Sequence, residues 1–160
     1  VSADFAWVEY LANATATATP TNLNLGSTLA ANLAPSTYPI TAGTYSYEKW
    51  IQAAFSGSFT RIENVQFWKS AGAYQTGEII NWTGQKTAYV APTTAVSSFC
   101  TSSIPTADPG TANVSIGGNL AGSLTASGNT DFIVLQASIG ASAPAGAVPQ
   151  KTMTLTYDEV

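Results

Sequence analysis

Few side chains in this sequence are able to do chemistry. There is no His and a single cysteine, Cys100, so the usual general base, the usual zinc ligands and any internal disulfide are missing together. Cys100 lies in Ser97-Ser98-Phe99-Cys100-Thr101, with no neighbouring Lys or Arg to lower its pKa; it reads as a small half-buried thiol, not a nucleophile. Nine carboxylates remain: Asp4, Glu9, Glu48, Glu63, Glu78, Asp108, Asp131, Asp158 and Glu159. A glycosidase needs two of them roughly 5–10 Å apart in a cleft, and nothing in their spacing selects a pair. Asp158 and Glu159 are adjacent but sit in no calcium-loop pattern. Gly117-Gly118 lacks the Gly-Lys-Ser/Thr that completes a phosphate loop. Three Asn-x-Ser/Thr sequons, at Asn13, Asn81 and Asn113, are no more than so Ser/Thr-rich a chain yields by chance. The expectation is no enzyme, no cofactor and no metal.

Aromatic side chains are the other candidates, at 11% of the chain. Trp50, Trp68 and Trp82 could form a sugar-binding platform, but packing in the core or against another subunit is the favoured reading, because each large ring gains most when buried. In Phe67-Trp68-Lys69 two adjacent aromatics point to opposite faces of a strand, so one looks outward unless a neighbour or partner chain covers it. Trp50, Phe67 and Trp68 are therefore candidate assembly residues. Charged residues are only 9% of the chain, against a usual ~25%. Lys49, Arg61, Lys69, Lys86 and Lys151 are scattered singly in a chain of net charge −4, which offers no basic face for phosphates. With no long apolar run either, neither nucleic acid nor membrane is an expected partner.

The 160 residues suit one domain with a sizeable core. Alternation with period two dominates the patterning. In residues 13–19, Ala14, Ala16 and Ala18 share one side of an extended chain, and Thr15, Thr17 and Thr19 share the other. Near the other end Met153, Leu155 and Tyr157 alternate with Thr152, Thr154 and Thr156, so one face can be buried and the other wet or paired. Further strands are expected around 4–11, 22–26, 47–56, 58–69, 77–82, 86–91, 112–117 and 130–139. The run Asp131 to Gln136 is apolar on both faces, which suits the middle of a sheet covered on both sides. Pro-containing tracts at 91–111 and 140–149 read as long loops. Tyr47, Trp50, Ile51 and Ala54 give Tyr45 to Phe55 some helical spacing, the one weak helix signal. The fold class is all-β: a single jelly-roll-like β-sandwich over 21–160, with an extended N-terminal arm over 1–20 that includes Ala14, Thr15, Ala16, Thr17 and Ala18 as candidate assembly residues. The opening Val-Ser-Ala-Asp-Phe, without an initiator Met, fits either Met excision or removal of a leader. No basic segment leads into an apolar stretch. Together with the lone cysteine, this favours intracellular synthesis.

Three stretches, Thr44-Tyr-Ser-Tyr-Glu-Lys-Trp50, Ser58 to Ser70 and Asp131 to Gln136, followed by the closing Thr-Leu-Thr-Tyr-Asp-Glu-Val, resemble small β-rich virion structural proteins of tailed bacteriophages. The resemblance spans roughly residues 22–160. It implies a capsid decoration, or cementing, protein on the outside of the virion, with two kinds of partner: copies of itself, as a homotrimer or another symmetric oligomer, and a major capsid protein. The residues by themselves agree, since low charge leaves little repulsion between close-packed copies, and an Ala/Thr strand can add to an exposed sheet edge. An extracellular filament or surface layer built by strand donation, and a carbohydrate-binding module, are the alternatives.

Overall fold

A computed structural model describes residues 2–11 and 19–160. Eight strands follow in chain order: β1 (Ala3–Tyr10), β2 (Lys49–Gly57), β3 (Ile62–Ala71), β4 (Glu78–Lys86), β5 (Ser102–Ser103), β6 (Gly128–Asn129), β7 (Phe132–Ile139) and β8 (Thr152–Glu159). Among the described residues there is no helix. One sheet runs β1-β2-β7-β4-β5, with β6 also on β2, and a smaller one pairs β3 with β8; every pairing is antiparallel. The chain is an all-β sandwich. Its strands divide six against two, and the sandwich, not a particular jelly-roll connectivity, is what this order establishes.

The period-two pattern accounts for the centre. β7 lies between β2 and β4. Ile133, Leu135 and Ala137 enter the main core with Ile51, Ala53, Phe55 and Phe67, while Phe132 and Val134 enter a second cluster with Trp50 and Cys100. The small sheet closes the first face. The second face is covered by the chain between β4 and β5, which brings Tyr89 and Phe99 onto Trp50 at ring separations of 5.2 and 5.3 Å. Burial on both sides also explains the helix signal at 45–55. Trp50 and Ile51 are successive strand residues that fill opposite cores, and their apolar neighbours mimic a helical repeat.

Several expectations change. The strand expected around 4–11 forms as β1, but as part of the large sheet and not as an arm outside it, paired with β2 from Ala3↔Gly57 to Tyr10↔Trp50. Trp7 holds that strand by packing on Phe67 at 5.9 Å. Residues 12–18, with Ala14, Thr15, Ala16, Thr17 and Ala18, lie outside the described residues. No strand forms at 22–26, where Leu23 and Leu25 nonetheless pack on the core and the Gly26 carbonyl accepts from Tyr47 N–H at 3.0 Å. At 86–91 the chain leaves β4 at Lys86 to cover the outer face, because Tyr89 is drawn onto Trp50. Residues 112–117 form only the isolated bridge Ile116↔Asn119; their backbone instead stitches β3 to β4, with Val114 N–H on Val65 O and Ser115 N–H on Gly84 O. The strand expected over 58–69 starts at Ile62 and carries an irregularity between Glu63 and Gln66, where Asn64 takes a positive φ of 52°. Within the 91–111 loop, Ser102 and Ser103 add a two-residue strand to β4.

Candidate assembly surface

Among the described residues, the two sheets end on one common side in edges that lack a strand partner. Direction of the backbone groups follows from the alternation of antiparallel ladders. Arg61 and Val160 exchange both backbone hydrogen bonds at 2.9 Å, so Thr152, Thr154, Thr156 and Asp158 turn their N–H and C=O toward β3. Those of Met153, Leu155, Tyr157 and Glu159 turn outward, and among the described residues none of them has a backbone partner. On β1 the same reasoning starts from Ala53, whose carbonyl accepts from Thr130 N–H at 3.0 Å on the β7 side. Its register partner Trp7, with Phe5 and Ala3, therefore points outward. Glu159 ties the two edges together: its Oε1 accepts the outward N–H of Ala3 at 3.0 Å.

Side chains around this side are apolar beneath and neutral above. Met153, Leu155 and Tyr157 pack on the main core, and Tyr157 meets Phe55 edge-on at 4.7 Å and Phe5 at 6.4 Å. Phe5 is still 39% exposed. On the opposite face of β8, Thr152 and Thr156 are exposed and Thr154 half-buried. Long edges without Pro or Lys are ready templates for a further strand. An open groove of about 640 Å³, lined by Ser2, Ser58, Phe59, Thr60, Glu159 and Val160, continues the same side.

Each of the five cations is engaged within the chain. Lys49 bonds Glu9 at 2.6 Å and Lys151 bonds Glu78 at 2.7 Å, both pairs nearly buried. The Lys69 ammonium donates to Gly72 O at 2.5 Å and lies 5.0 Å from the Tyr74 ring. Lys86 covers Phe99 at 4.7 Å, and only the Arg61–Glu63 pair, at 2.9 Å, is largely exposed. The folded surface is thus even poorer in positive charge than the composition suggests.

The aromatic site candidates go inside. Trp50 and Phe67 are fully buried and Trp68 and Trp82 are 8% exposed, so Trp50, Trp68 and Trp82 offer no platform for a sugar ring. Trp50, Phe67 and Trp68 are likewise unavailable as contact residues. Phe67 fills the main core between Trp7 and Trp82, and Trp68 on the other face is covered by the same chain. The inference from Phe67-Trp68 identified a need for cover, which this chain meets itself. Cys100 is more than half-buried: it is 3% exposed, its thiol donates to Val134 O at 3.5 Å, and burial pushes its pKa up to about 12. A small, half-open pocket of about 10 Å³ beside Glu9, Tyr47, Glu48 and Lys49 has room for about one water. Among the described residues no group of His, Cys, Asp and Glu could hold a metal ion.

Comparison with known protein families, with curated proteins and with solved structures finds no match. Sequence reasoning identified the alternation at 152–157 but not its position at an edge, for which period two carries no signal.

Proposed function

We propose that this chain is a structural subunit that self-associates in an ordered shell, a decoration protein on the outside of a phage capsid. The observation that supports this most is the pair of long edges, β1 and β8, which lie on one side of the sandwich and have no strand partner among the described residues. Main-chain hydrogen bonding across such edges supplies affinity without any charged or catalytic group. Neutralisation of Lys49 and Lys151 inside the fold leaves few like charges to oppose close packing of copies. Because both open edges lie on one side, contact through them closes on itself, which favours discrete symmetric clusters over the head-to-tail growth of a filament.

Sedimentation of the purified chain, alone and with empty heads of the phage that encodes it, tests the reading. A discrete oligomer that pellets with the heads is expected. A monomer that stays in the supernatant, or fibres in electron micrographs, would overturn it.

A further inference from the structure

We propose that two copies of this chain pair through β8 about a two-fold axis at Leu155, joining their small sheets into one four-stranded sheet in the order β3-β8-β8-β3. This rests on the self-association reading above and names the partner and the contact. A two-stranded sheet is marginal by itself, and here it covers a sheet of six strands.

The residues of β8 fit their own copy in this register. Antiparallel pairing about Leu155 sets Leu155 opposite Leu155 of the partner subunit and Met153 opposite Tyr157 of the partner subunit. All of these are outward-facing residues, so each pair can exchange both backbone hydrogen bonds. A shift by one residue would set outward groups against inward ones. Centring on Met153 brings Pro149, which has no N–H, opposite Tyr157. Centring on Tyr157 sets the Glu159 carboxylate opposite the apolar Leu155. With Leu155 at the axis, Glu159 instead stands opposite Lys151 of the partner subunit, whose ammonium is already held by Glu78, and Asp158 faces Thr152 of the partner subunit, so the adjacent carboxylates never meet each other. The apolar face of Met153, Leu155 and Tyr157 then runs on into its counterpart. On the solvent face, Thr154 stands against Thr156 of the partner subunit, a pairing favourable in sheets.

The solvent-face threonines provide the test, because Thr156 is exposed and Thr154 half-buried and neither contributes to the core. Dimer dissociation is measured by sedimentation equilibrium for the full chain and for two double variants, with intrinsic Trp fluorescence as the check on folding. Thr154→Lys with Thr156→Lys sets lysine against lysine twice in the dimer and is expected to raise the dissociation constant roughly tenfold or more. Thr154→Lys with Thr156→Glu sets lysine against glutamate twice and is expected to leave it at or below the wild-type value. A dimer indifferent to both variants, or a trimer, overturns the β8 contact while leaving self-association standing. A wild-type monomer overturns both.

Discussion

Gln136 should decide whether the outer face of the sandwich stays closed. Its side chain projects from the middle of β7 and is 2% exposed. The amide nitrogen donates to Ser46 O at 3.1 Å, to Ala95 O at 2.8 Å and, at 3.4 Å, to Thr93 O, and the amide oxygen accepts Ser97 N–H at 2.9 Å. One side chain therefore seats the loop that carries Phe99 and Cys100. Gln136→Met keeps the volume and removes all four bonds. Ala95 is exposed and its carbonyl can turn to water, but Ser46 and Ser97 are buried, and each orphaned buried group costs ~1–3 kcal/mol. A loss of about 2–6 kcal/mol follows, which is roughly 30- to 20,000-fold in the equilibrium for opening the loop. Cys100, the sole cysteine, lies under that loop and reports its opening. Labelling by a thiol reagent under native conditions should accelerate by that factor, and urea unfolding should lose the same free energy with an unchanged m-value. If labelling stays within about threefold of wild type and the urea midpoint does not move, the amide does not hold the loop and the reasoning fails.

Other perturbations follow from single contacts. Lys49→Met removes the ammonium that bonds the buried Glu9 carboxylate at 2.6 Å and should destabilise the fold, read as a lower urea midpoint. Gly84→Ala puts a Cβ 2.5 Å from the Asn113 carbonyl; the strain of forcing β4 away from residue 113 should destabilise by about 1–3 kcal/mol, read as a lower thermal midpoint. Thr130→Val removes the hydroxyl that accepts Ala53 N–H at 3.1 Å and should cost ~1–3 kcal/mol in the same assay. Alkaline pH should also destabilise the fold. Burial pushes the folded Cys100 thiol up to about 12 from its ordinary value of 9.0, so above about pH 9 the unfolded chain gives up a proton that the folded one keeps, and stability falls with rising pH at up to ~1.4 kcal/mol per unit until the folded thiol itself ionises. Burial, with Glu78 near one ring and Glu48 near the other, also raises Tyr74 and Tyr89, which act in the same direction. Cys100→Ala should flatten the onset near pH 9 in urea titrations.

How much of the fold was legible depended on whether its cause was local. β2, β7 and β8 follow from side chains that alternate along the strand, and the central position of β7 from a run apolar on both faces. The alternation at Leu23 and Leu25 was equally visible, yet no strand forms there. Those side chains reach the core while their backbone finds turn partners instead of a ladder. Gln136 looked like the polar end of an apolar run, and only the arrival of Ser46, Ala95 and Ser97, 39 to 90 positions away, makes it a clamp.

By itself the sequence determined an all-β chain with almost no charge and no histidine, because composition and a two-residue period are properties of neighbours. The tertiary structure decided which strands stand at the edges, that Trp50, Phe67 and Trp68 are spent inside, and that Lys49 and Lys151 are neutralised there. Each of those outcomes depends on the register between strands distant along the chain. That register is set by hydrogen bonds and packing formed only when the two sheets close on each other.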